Sequence, residues 1–195
     1  MGQDSQNLLA DTLQRICSRA VECEVVDFLL IGGNAVIAYG VPRFTRDIDF
    51  VIPEDALPTW RDLLEMENYR CFQATHAFAQ FEDVSAIAPR VDLMIVDQST
   101  WEKLLGEARE AEYGRGIPLK VAAVEHLIAM KLRAVKSPQR RFDAVDWQDI
   151  IELSYREGLD PGKHEQFRNL VLDFGSEDLL EKLIDEIEIR RKSPQ

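Results

Sequence analysis

Apolar residues recur at two periods along this chain, and the change between them divides it in half. Leu8, Leu9, Thr12, Leu13, Ile16, Cys17 and Ala20 fall at helical spacing and predict an amphipathic helix over 5–20. The run Val25-Val26-Asp27-Phe28-Leu29-Leu30-Ile31 is short, apolar and ends in glycines, the pattern of a buried strand. Residues 34–39 then suit a short helix capped by Gly40, with Pro42 just beyond. Alternation predicts a strand over 47–52, stopped by Pro53, and further strands over 70–74, 77–82 and 90–96. Helices are expected over 54–66 and 99–109. The segment Gly114-Arg115-Gly116-Ile117-Pro118 reads as a loop and a boundary. Beyond it the spacing is helical over 121–136, 141–157, 161–172 and 176–191. The expected fold class is α/β (α+β): an α/β core with an N-terminal helix over 1–115, then a helical region over 116–195 packed on it.

Composition narrows the function. The 195 residues are 46% hydrophobic and 30% charged, enough for an ordinary core. The formal net charge of −12 argues against a large nucleic-acid footprint, which wants a basic face. It leaves room for a local phosphate contact and suits a cationic substrate or a basic partner. Cys17, Cys23 and Cys71 are odd in number and lack metal-ligand spacing, so they read as free thiols of a reducing compartment. The N-terminus shows no basic-then-apolar signal, and no apolar run approaches a membrane span. A cytoplasmic location without membrane contact is expected. There is no internal repeat.

The chemistry lies in a glycine pair and three acids. Gly32 and Gly33 end the first apolar run and open a helix, where the backbone can approach a phosphate closely. Glycines also occur in such turns for steric reasons alone. Asp47 and Asp49 alternate with Ile48 and Phe50, so on a strand they share a face with Cα atoms about 6.5–7 Å apart. At an effective dielectric near 20, two such anions about 6 Å apart repel by roughly 3 kcal/mol. Asp92 is an isolated acid between Val91 and Leu93 in another apolar strand. Oxygen-only ligands suit Mg²⁺ or Mn²⁺. Three carboxylates beside a phosphate-binding turn suit metal-assisted phosphoryl-type transfer, with Asp92 the best candidate to take a proton from the attacking hydroxyl. Arg43 and Arg46 flank the acids and either bind phosphate or balance the local charge.

The helical half has two polar anomalies. Lys131 falls inside the stripe of Val121, Val124, Leu127, Ile128, Leu132 and Val135, and a lysine there wants an anionic partner or a route for its amine to water. Asp146 and Asp149 share a face with Phe142, Val145, Ile150 and Leu153, and Asp146 could hold Lys131 or an arginine. His126 lies opposite the stripe and is expected at the surface. His76 and His164 have no ligands at metal spacing. The acidic segment from Ser176 to Glu186 reads as a solvated helix face or a partner surface.

The run Gly32-Gly33-x-Ala35…Gly40-x-x-Arg43-x-Thr45-Arg46-Asp47-Ile48-Asp49, with Asp92 later, resembles the nucleotidyltransferase superfamily over about residues 28–155. Within it the chain looks most like the AbiEii-like abortive-infection toxins. The resemblance implies a mixed β-sheet flanked by helices and followed by a helical bundle. It also implies a nucleoside triphosphate substrate such as ATP and a Mg²⁺ requirement. Gly32 and Gly33 would hold the triphosphate, Asp47, Asp49 and Asp92 the metal, and Lys131 would reach phosphate with Asp146 in support. The commoner superfamily form has serine where this chain has Gly33, so one hydroxyl contact is missing. The implied setting is a toxin–antitoxin pair, with RNA such as a tRNA end, or a protein, as acceptor and an antitoxin protein as partner. The alternatives are transfer to a small molecule such as an aminoglycoside, and a catalytically silent nucleotide-binding module.

Overall fold

A computed structural model describes residues 2–25, 27–113, 117–136 and 144–192. Val26, the stretch Gly114-Arg115-Gly116, and Phe142 lie outside the described residues, so the expectations that rest on them stay with the sequence. The chain divides into two compact units, Met1–Ala122 and Ala123–Gln195.

The first unit is built on a seven-stranded mixed sheet. In chain order its elements are α1 (Gly2–Glu22), β1 (Leu29–Leu30), α2 (Gly32–Ala38), β2 (Ile48–Pro53), a 3₁₀ turn (Glu54–Ala56), α3 (Leu57–Met66), β3 (Tyr69–Ala74), β4 (Phe78–Asp83), β5 (Val91–Val96), α4 (Gln98–Gly106), β6 (Arg109–Tyr113) and β7 (Ile117–Val121). The strand order is β3-β4-β5-β2-β1-β7-β6. β2 runs parallel to β5 and β1 parallel to β7, and the remaining neighbours are antiparallel.

Alternation along the central strands sends one set of side chains inward. Ile48, Phe50, Val91 and Leu93 are fully buried. Phe28, Phe50 and Trp60 pack with ring centroids 5.2 Å apart, which seats α3 on the sheet. Leu13, Ile16 and Ala20 of α1 are fully buried, as their spacing predicts. Arg15 and Arg19 of the same helix both grip the carboxylate of Glu67, the residue whose backbone N–H closes the end of α3. The C-terminus of α2 closes in a Schellman motif: Val41 N–H donates to Val36 O and Gly40 N–H to Ile37 O, with Gly40 at φ +79°. The three cysteines are free thiols, and burial pushes that of Cys17 up to about 12.

The β6–β7 hairpin was not anticipated. Arg109 belongs to β6 rather than to the helix expected over 99–109, and Ile117 and Pro118 open β7 instead of ending a loop. Among its described residues, the first apolar run is strand only at Leu29 and Leu30.

The second unit is helical: α5 (Val124–Lys136), α6 (Ala144–Arg156), α7 (Glu165–Phe174) and α8 (Glu177–Lys192). The stripe of α5 from Val124 to Val135 is buried as expected, whereas Val121 belongs to β7. Leu180, Leu183 and Ile187 bury one face of α8 and leave its acids at the surface. Two corrections concern orientation. Val145, counted in the apolar stripe of α6, is 51% exposed, and His126, expected at the surface, is half-buried. No helix among the described residues is long and apolar enough to cross a membrane.

Candidate active site

The parallel pair β2–β5 sets Asp49 directly opposite Asp92. Since Ile48, Phe50, Val91 and Leu93 point into the core, Asp49 and Asp92 share the other, half-buried face. Asp47 sits at a bend one residue before β2, not on the strand. Its carbonyl accepts from Asn34 Nδ2 at 2.9 Å, and Asn34 is fully buried on α2. Ile31 N–H donates to Asp49 O at 3.0 Å, so one side-chain and one backbone hydrogen bond hold the glycine turn and the acids to each other.

The two glycines are required by what lies against them. Gly32 has φ +64°, and a Cβ there would stand 2.1 Å from Asp49 Oδ2. A Cβ on Gly33 would stand 2.5 Å from Thr45 Oγ1 and 3.2 Å from the guanidinium carbon of Arg43. Gly32, Gly33, Arg43, Asp47, Asp49 and Asp92 are therefore gathered in the first unit. Arg46 is exposed, with its guanidinium 5.7 Å from the ring centre of Phe44.

Electrostatically the acids are unfinished. Burial raises the Asp92 carboxyl above its ordinary value, and the Asp47 charge adds to the shift. A hydrogen bond from Gln80 Nε2, 2.9 Å from Asp92 Oδ2, and the charge of Arg90 oppose it. Asp92 Oδ1 is buried with no hydrogen-bond partner among the described residues. No group of three or more acids, histidines or cysteines among those residues closes into a ready metal cage. The donor set is nonetheless all hard oxygen, one buried oxygen is open, and two anions raise each other's energy. These features fit a divalent cation such as Mg²⁺.

Lys131 and Asp146 lie in the second unit. Lys131 is buried, and its Nζ stands 2.8 Å from Asp146 Oδ1 and 2.7 Å from Asp149 Oδ2. Lys131 is one of the two partners offered for Asp146 by the sequence, and Asp149 adds a second carboxylate.

Three residues at the site had no role in the sequence reading: Asn34, Thr45 and Gln80. A fully buried asparagine on an otherwise apolar short helix is a usable signal. Thr45 and Gln80 matter through register and loop path, which periodicity does not encode.

Solved structures similar in fold to this chain include nucleotidyltransferases. ANT(2'')-Ia in complex with adenylyl-2''-tobramycin aligns at a TM-score of 0.60 and 16% identity, over 93% of this chain and 98% of that one. An antigenic nucleotidyltransferase-like protein from Paracoccidioides brasiliensis aligns at 0.56 and 18%, over 96% and 94%. The lincosamide antibiotic adenylyltransferase LnuA, lincomycin-bound, aligns at 0.54 and 17%, over 73% and 94%. At these identities the likeness is one of fold. No curated protein matches the chain. The family described as nucleotidyl transferase of unknown function (DUF2204) matches residues 10–183, a span that includes the glycine pair, all three acids and Lys131. The chain belongs to this family and is a nucleotidyltransferase.

Proposed function

We propose that the chain transfers a nucleoside monophosphate from a nucleoside triphosphate to a hydroxyl acceptor in a metal-dependent reaction. The observation that carries this reading is Asp49 and Asp92 registered across β2–β5, with Asp47 beside them and Asp92 Oδ1 open. Asp47, Asp49 and Asp92 would hold Mg²⁺ or Mn²⁺, which when bound neutralises charge on the reacting phosphate and activates the attacking oxygen. The acceptor oxygen bonds to the α-phosphorus, the α–β bridging bond breaks, and pyrophosphate leaves. Asp92, its carboxyl shifted upward, takes the hydroxyl proton. The backbone at Gly32 and Gly33 borders the triphosphate, with the Arg43 guanidinium beside Gly33 as a countercharge. Arg46 is a second phosphate contact. The resemblance gives Lys131 a phosphate role; its ammonium has three N–H donors, and the two carboxylates take two of them.

For the biological setting, the motif from Gly32 to Asp49 favours an AbiEii-like toxin acting inside the cell on RNA or protein and restrained by an antitoxin. A second reading rests on the net charge of −12, which suits a cationic small-molecule acceptor such as an aminoglycoside. ANT(2'')-Ia, seen with adenylyl-2''-tobramycin, shares the fold and lends that reading support.

Incubation with Mg²⁺ and each α-³²P-labelled nucleoside triphosphate, with cellular RNA, protein and an aminoglycoside panel as separate acceptors, separates the two. Label in RNA or protein, absent in Asp47→Ala/Asp49→Ala, supports the toxin; label in the antibiotics supports the second reading. No transfer to any acceptor by folded protein counts against both.

A further inference from the structure

Gln80 stands directly across from Asp92 in the antiparallel β4–β5 pair. Its Nε2 lies 2.9 Å from Asp92 Oδ2. An ionised carboxylate only accepts hydrogen bonds, so the amide must turn its N–H toward it. The other oxygen, Oδ1, is buried and has no hydrogen-bond partner among the described residues. One oxygen of this carboxylate is held by the protein, and the other is left for a ligand.

The strand carrying Gln80 is braced on its other side. β3 bulges between Cys71 and Gln73, and Gln73 is the register partner of Gln80. The extra residue, Phe72, has the Arg90 guanidinium 5.1 Å from its ring centre. Arg90 precedes Asp92 by two residues, so this contact ties β3 to the start of β5 across β4. Bulges of this kind commonly re-aim a side chain next to a site.

Building on the role proposed above for Asp92, we infer that Gln80 is a positioning residue of the transfer reaction. By donating to Oδ2 it fixes the plane of the Asp92 carboxylate and presents Oδ1 to the cation and the reacting hydroxyl. Gln80 itself touches neither. Partners of metal ligands that act this way are worth about ten- to a hundredfold in metal affinity or activity.

Gln80→Leu removes the donor at a half-exposed strand position, and Gln80→His restores an N–H at similar reach. Mn²⁺ affinity would be measured by calorimetry with a non-hydrolysable nucleoside triphosphate analogue, alongside kcat and the nucleotide KM. The expected result for Gln80→Leu is about tenfold or more weaker Mn²⁺ binding and a matching loss of kcat at unchanged KM, with recovery in Gln80→His. Asp92→Asn serves as the reference. If Asp92→Asn loses Mn²⁺ while Gln80→Leu binds it like wild type, the positioning role is overturned and Asp92 keeps its own. If Asp92→Asn also binds like wild type, the role of Asp92 is overturned, and this inference with it.

Discussion

At Gly32 two demands meet in one residue: a left-handed φ of +64° and an Asp49 carboxylate lying where a side chain would begin. Gly32→Ala is therefore expected to move Asp49 and to strain the turn at once. The predicted outcome is loss of activity by more than about tenfold together with about 1–3 kcal/mol of stability, read by nucleotide transfer and thermal unfolding. Gly33→Ser, which restores the commoner superfamily residue, is expected to fail as a gain of function because Thr45 occupies the space. It should lower the thermal midpoint unless the Thr45 side chain is removed altogether, because Thr45 Cβ would itself lie 2.7 Å away; a Gly33→Ser/Thr45→Gly double variant checks this. The acids were legible at this scale because a lone aspartate between apolar strand residues stands out. Asn34 and Gln80 were not, since their importance depends on which backbone and which carboxylate they face.

Among the elements, α5 and α6 are joined by the Lys131–Asp146–Asp149 cluster. Removing only the lysine takes away a cation that both carboxylates contact, one of them almost fully buried. Lys131→Met is expected to destabilise by about 3–5 kcal/mol in denaturant unfolding, and Lys131→Met/Asp149→Leu by less than that. Capping of α4 gives a pH-dependent test. Asp97 accepts hydrogen bonds from Ser99 Oγ and from the N–H and hydroxyl of Thr100, which lower its carboxyl from 3.8 to about 2. A lowered folded-state value means that the stabilisation is fully present above the ordinary carboxylate range and fades as pH falls toward about 2. The difference in urea midpoint between wild type and Asp97→Ala should accordingly be constant near neutrality and shrink below pH 3.8. Helices with a clear apolar stripe, such as α5 and α8, were readable in advance. The β6–β7 hairpin was not: Arg109-Glu110-Ala111-Glu112 carries the charges of an exposed edge strand, and Pro118 sits where a strand interior is rarely expected.

Over the whole molecule, the fold class and the division between an α/β half and a helical half could be read from periodicity, and the mixed sheet only from the family resemblance. The strand order could not, because nothing in the alternation of β2 and β5 says that they are neighbours in parallel. That pairing is what turns Asp49 and Asp92 into one site. The net charge of −12 also acts at this scale. If the acceptor is a cationic antibiotic, its KM should rise as salt is raised from about 0.05 to 0.5 M, where screening shortens from roughly 14 to 4 Å. In the proposed reaction these acids direct attack at the α-phosphorus. This is tested most directly by comparing α-³²P- and γ-³²P-labelled triphosphate in parallel reactions, with Asp49→Asn as control. The acceptor is expected to take the α label and the γ label to leave in pyrophosphate, with neither seen for Asp49→Asn. Transfer of the γ label to the acceptor, or α transfer that survives Asp49→Asn, would contradict it.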